Sequence, residues 1–161
     1  GGSAEHDERI SGVGWIALCY KGGWYIAMLH QMFKSVIDQD RAAVVICDTE
    51  HTIVYMNPAA VQNYANRGGA ELVGKSLLAC HNEQSNEMIR KIVSWFADSK
   101  EHNMIHTFYN EKQNKDVYMV ALRDEDGELL GYYEKHEFRN KETAKMYDFE
   151  QSLVWKPVFN L

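Results

Sequence analysis

The sequence predicts an α+β domain, a five-stranded antiparallel sheet with helices packed over one face. Three observations carry this. Five short apolar runs with β-branched and aromatic residues are each bounded by turn signals. The helical patterns among them cluster between the second run and the third, so helices do not alternate with every strand and a doubly wound parallel sheet is excluded. A chain of 161 residues that is 45% hydrophobic is long enough for one real core and too short for two comfortable ones.

Taken in order, residues 1–9 are polar and charged, which suggests a flexible or added start. Residues 10–29 are mostly apolar, and about 20 apolar residues are what a membrane span requires. Lys21, Gly22 and Gly23 interrupt the run, and Glu5, Asp7 and Glu8 stand where a secretory signal needs positive charge. The two apolar halves instead predict a hairpin of residues 13–20 and 24–29. Residues 31–39 follow as a short amphipathic helix, with Met32, Val36 and Gln39 on one face and Phe33 and Ile37 beside it.

Residues 42–47 and 52–56 form two strands around the turn Asp48-Thr49-Glu50-His51. Asn57 before Pro58 is a helix start, because the Asn side chain accepts an orphan amide proton and Pro has none to offer. That helix runs to about residue 66 and stops at Gly68-Gly69. Residues 70–80 read as short helical turns broken at Gly74. In residues 86–97, Met88, Ile89, Ile92, Val93 and Phe96 recur at helical spacing. Strands over residues 104–110, 116–123 and 129–138 complete the sheet, the last two joined by Asp124-Glu125-Asp126-Gly127, whose glycine accepts positive φ. A helix over residues 141–150 and an apolar tail over 153–161 close the chain.

The net charge of −6, without any cluster of Lys and Arg, argues against a nucleic-acid partner. Cys19, Cys47 and Cys80 are odd in number and far apart, so they form no disulfide framework and suggest the reducing cytoplasm.

The element order and four motifs resemble the PAS sensor domain. The motifs are the hairpin from Val44-Val45-Ile46-Cys47-Asp48 to Ile53-Val54-Tyr55-Met56-Asn57, then Asn57-Pro58-Ala59-Ala60, then Glu71-Leu72-Val73-Gly74-Lys75-Ser76, and lastly Arg123-Asp124-Glu125-Asp126-Gly127 with Leu130-Gly131. They cover about residues 38–138. The stretch from Gly74 to Asn86, with Cys80-His81, also resembles small PAS proteins of anaerobic and Gram-positive bacteria. The resemblance implies a curved sheet and helices enclosing a space for a small ligand. It also implies a helix before the first strand that pairs two copies, here through Met32, Phe33, Val36 and Ile37.

Fold alone names no ligand. A flavin sensor that forms a photoadduct would need a cysteine at position 77, where Leu77 stands, with Cys80 three residues further on. That cofactor is not expected. No Cys-x-x-Cys-His attaches a haem covalently, but non-covalent haem remains open, with His81 or His106 as axial ligand. His102 and His106 are four apart across a turn and a strand, and adjacent Cys80 and His81 cannot share one ion, so no metal site is expected. No Gly-x-Ser-x-Gly elbow or phosphate loop is present, which argues against an enzyme.

A cavity is the expected functional feature, with His81, Met56, Met88, Ile92, Met104, His106, Met119 and Tyr132 as candidate ligand contacts. Alternation puts Val117, Met119 and Ala121 on one face and Tyr118, Val120 and Leu122 on the other, one face covering the cavity and one meeting a partner. The expected protein is therefore a cytoplasmic, non-catalytic, homodimeric sensor in signal transduction or transcription regulation. It takes a small apolar ligand, a signalling partner protein, or both, with no nucleic acid and no membrane. A haem-dependent redox or gas sensor and a ligand-free dimerisation module are the alternatives.

Residues 31–140 form the expected PAS unit, with residues 141–161 as a terminal helix and tail. Residues 1–30 are an appendage, rich in aromatics and glycine (Trp15, Tyr20, Trp24, Tyr25; Gly12, Gly14, Gly22, Gly23). Lys21-Gly22-Gly23 is encodable as AAAGGAGGN, the form of a bacterial ribosome-binding sequence. Translation is then expected to begin at Met28 or Met32, with residues 4–27 as translated upstream sequence.

Overall fold

A computed structural model of the protein describes residues 23–147. The chain divides between Ile37 and Asp38 into two compact units. Helix α1, Gly23–Asp38, makes up the described part of the first and ends in the second. This corrects the strand expected at residues 24–29, which is the opening of that helix. The expected partner strand, residues 13–20, lies outside the described residues. A short apolar run fits strand and helix equally well. Here Ala27, Met28 and Leu29 are strong helix formers, and apolar Tyr25, Met28, Met32 and Val36 continue the spacing of one helical stripe. The helix is thus continuous through Met28 and Met32.

The second unit is built on a five-stranded sheet in the order β2-β1-β5-β4-β3, antiparallel throughout. Its strands are β1 (Val45–Asp48), β2 (Ile53–Met56), β3 (Met104–Asn110), β4 (Lys115–Arg123) and β5 (Leu129–Phe138). The β1–β2 turn closes on the Asp48 carboxylate, which accepts from the backbone N–H of Glu50 (3.0 Å) and Thr52 (2.8 Å). Between β2 and β3 the chain forms α2 (Pro58–Asn63), three short 3₁₀ turns and α3 (Glu83–Asp98). The helix expected to reach residue 66 ends at Asn63 and continues as 3₁₀ turns, Ala65–Arg67 and Gly69–Leu72. Helix α3 starts before residue 86 because Asn82 caps it, its Oδ1 accepting from Ser85 N at 2.8 Å.

The core lies between the inner sheet face and these helices. Cys47, Ile53, Met56, Met119 and Tyr132 pack against Ala60 of α2 and Ile89, Ile92, Val93 and Phe96 of α3. The helix expected over residues 141–150 is absent from its described part, residues 141–147. There the Glu142 carboxylate accepts from the backbone N–H of Thr143 and Ala144 and pairs with Arg41 at 2.9 Å, local bonds that compete with a helical ladder.

Arg123 fastens one end of the sheet to the end of α3. Its Nη2 donates to the carbonyls of Phe96 (2.7 Å), Ser99 (2.9 Å) and His102 (3.0 Å), its Nε to Asn103 Oδ1 (2.7 Å) and its Nη1 to Gly127 O (3.1 Å). Orphan carbonyls at a helix C-terminus are thereby satisfied together with the β4–β5 turn. A lysine keeps the charge and loses the planar fork, so Arg123→Lys is expected to cost about 2 kcal/mol. The measure is the urea midpoint at unchanged m-value, and an unaltered midpoint refutes the assignment.

Candidate functional site

Strand alternation places three consecutive inward side chains of β5, Tyr132, Glu134 and His136, opposite Ala121, Met119 and Val117 of β4. Beside them Val45 and Cys47 of β1 and Ile53 and Met56 of β2 face the same way. Tyr64, Leu72, Leu77, Cys80 and Ile89 close over them from the helical side. Together they enclose a cavity of about 60 Å³. Its walls are mostly apolar, and its polar groups fall into two sets.

The first set is a line from the core outward. Cys47 pairs with Tyr132 on the neighbouring strand, and the Tyr132 hydroxyl lies 2.9 Å from Nδ1 of the half-buried His51. Burial pushes the Cys47 thiol up to about 12, against a smaller lowering by the Tyr132 side chain. Burial likewise raises the Tyr132 hydroxyl, and burial followed by the Arg90 charge lowers His51. All three shifts favour the neutral form.

The second set is at the other end of the β5 row. His136 Nε2 lies 2.9 Å from Glu134 Oε1, and the His136 side chain is only 8% exposed. Its Nδ1 is buried with no hydrogen-bond partner among the described residues. Arg67 reaches the cavity from the 3₁₀ turns. Lys115 shares the inner face next to His136, its ammonium 5.4 Å from the Phe138 ring centroid. Burial lowers the Lys115 amine, and Glu134 partly offsets this.

Of the candidate ligand contacts, Met56, Met119, Tyr132 and His81 line this cavity. His81 is at its exposed rim, and its Nδ1 donates to Leu77 O at 3.0 Å, which fixes the tautomer and leaves Nε2 as the lone-pair nitrogen. Met88 and Ile92 line a separate surface groove with Lys91, Trp95 and Ile105. Met104 and His106 point away from the cavity, and His106 Nε2 meets Asp116 Oδ1 at 2.9 Å. Period-two alternation separates the two faces of β3 without saying which is inward, and Ile105 packs against the core instead. Cys47, His51, Arg67, Glu134 and His136 belong to the site without being among the sequence candidates. Glu134 and His136 follow from Tyr132 at i+2 and i+4, so two polar side chains at inward strand positions were the available signal.

Haem does not fit the site. Clefts that hold drug-sized ligands run to about 300–1,000 Å³, several times this cavity. Among the described residues no group of three or more His, Cys, Asp or Glu is placed to hold a metal ion. None of the described helices is long and apolar enough to cross a membrane.

A sheet in the order 2-1-5-4-3 with short helices and one long helix closed over an inner-face cavity defines a small sensory-type domain. The PAS fold family model matches residues 37–135, more than half of the chain, and the chain belongs to that family. Solved structures share the fold. The C-terminal domain of a Streptococcus mutans protein aligns with TM-score 0.54 and 14% identity, over 67% of this chain and 83% of that one. The PAS domain of a Colwellia psychrerythraea protein aligns with TM-score 0.51 and 15% identity, over 69% and 96%. The PAS domain of Bordetella pertussis BvgS aligns with TM-score 0.50 and 14% identity, over 71% and 88%. At these identities the likeness is one of fold. No curated protein matches the chain.

Proposed function

We propose that this protein is a non-catalytic sensor in which a small ligand held in the inner-face cavity sets the signal passed to a protein partner in signal transduction or transcription regulation. The observation that carries the reading is the cavity itself, apolar along its walls and polar where Glu134 and His136 meet it. Its volume favours a ligand far smaller than haem. The proposed working form is a homodimer joined through Met32, Phe33, Val36 and Ile37 of α1. Support comes from the exposure of Met32, Phe33 and Val36, each more than half open to solvent. The free thiols Cys47 and Cys80 suit the cytoplasm.

Ala43 lines the cavity and is half-buried, so Ala43→Phe fills the space at a packing cost of roughly 1–3 kcal/mol. Native mass spectrometry of the purified wild type is expected to show a dimer that releases a low-mass compound. Ala43→Phe is expected to release none while keeping its circular dichroism spectrum, and Phe33→Glu with Val36→Glu to give monomer. The reading fails if wild type releases nothing and a fragment screen moves no amide resonance at Cys47, Met119 or Tyr132.

A further inference from the structure

We propose that the cavity selects a small uncharged molecule that donates one N–H or O–H hydrogen bond to Nδ1 of His136. This rests on the reading of the cavity as a ligand site and names the chemistry of its occupant.

The donor follows from the His136 ring. A carboxylate only accepts, so the Nε2 that faces Glu134 Oε1 at 2.9 Å carries the proton. With a single ring proton, held on Nε2, the lone pair lies at Nδ1. That atom is buried, has no partner among the described residues and belongs to a side chain only 8% exposed. Buried polar atoms are nearly always paired, and one left open favours any occupant that satisfies it.

Neutrality follows from the charges around it. A cation entering the polar end meets the Arg67 guanidinium at the mouth. An anion meets the Glu134 carboxylate, bonded to His136 itself. Each sign thus meets a repelling group as well as an attracting one and still bears the cost of leaving water, which a neutral donor does not. The size follows from the 60 Å³ volume, and the apolar body of the ligand from Ile53, Leu72 and Met119 in the walls. Small alcohols and azoles with a ring N–H have this chemistry.

Pyrrole and furan test it, being rings of one size that differ in a single N–H. Titrated into ¹⁵N-labelled wild-type protein, pyrrole is expected to bind about tenfold more tightly than furan. Pyrrole is also expected to shift the His136 Nδ1 resonance in long-range ¹H–¹⁵N spectra, and furan to leave it in place. His136→Phe keeps the ring bulk without the acceptor and is expected to bind the two rings equally. Equal binding of both rings by wild type, with Nδ1 unmoved, overturns this inference and leaves the cavity reading standing. Entry of neither ring overturns both. A pyrrole preference that survives in His136→Phe overturns the assignment to His136. The wild-type titration decides the matter even where the variant does not fold.

Discussion

Replacing Gly131 by alanine is expected to destabilise the domain by at least about 3 kcal/mol, a drop in Tm of about 12 °C or more, because the added methyl group has nowhere to go. Gly131 lies in the middle strand of the sheet, opposite Asp48 of β1 and Leu122 of β4. A Cβ built there falls far inside contact distance of the Cys47 carbonyl oxygen and 3.1 Å from Asp48 Cα. Both neighbours are backbone, so no side-chain rotation relieves the clash. β5 is hydrogen-bonded on both sides, which leaves lifting β1 as the accessible response. That breaks the pairing of Ile46 with Tyr133 and of Cys47 with Tyr132, and it shifts two walls of the cavity. Gly74 supplies the control. A Cβ there meets nothing within 4 Å, but its φ of +85° strains any L-residue, so Gly74→Ala is expected to cost only about 1–2 kcal/mol. Thermal melts of the two variants separate crowding from backbone strain. A Gly131→Ala domain that melts no lower than Gly74→Ala refutes the close approach.

What was legible in the sequence was whatever local chemistry dictates. The Asp48 turn, the Asp126-Gly127 turn and the Asn57-Pro58 helix start each rest on residues within four positions of one another, and all three appear where expected. Gly131 was visible as part of a motif, but its physical role depends on β1 lying beside β5, more than eighty residues away in the chain. Facing was hidden for the same reason. Met104 and His106 alternate correctly, yet only the helices packed on the far side decide that Ile105 is the inward neighbour. The start of α1 is ambiguous in the sequence because six apolar residues after two glycines satisfy a strand pattern as well as the helical stripe that runs on through Met32 and Val36. The polar end of the cavity is not legible from hydrophobicity, because Glu134 and His136 are polar side chains at inward strand positions.

The Asn57 side chain is expected to be worth more than a helix cap, and Asn57→Ala to cost about 4 kcal/mol. Asn57 is fully buried and its amide uses its full bonding capacity. Oδ1 accepts from Ala60 N, the capping bond of α2, and from Val44 N, both at 2.9 Å. Nδ2 donates to the carbonyls of Ala42 at 3.0 Å and Asp40 at 3.4 Å. One amide thus ties the strand that enters the sheet to the helix that leaves it. A cap alone is worth about 1 kcal/mol. Truncation also leaves the Val44 N–H and the Ala42 carbonyl, on two buried residues, without their partner, at about 1–3 kcal/mol each. Asn57→Asp separates the contributions, since it keeps both acceptor bonds, loses both donor bonds and buries a carboxylate. Its cost should therefore be carried by Ala42 and Asp40 and by the buried charge, while α2 stays capped. Hydrogen exchange at the Val44 amide reads this directly. In wild type that proton is expected to exchange only on global unfolding, in Asn57→Ala by local opening, and in Asn57→Asp no faster than the domain unfolds. An alanine variant within about 1 kcal/mol of wild type, with Val44 still protected, would mean that the network is decoration on a junction held by packing alone.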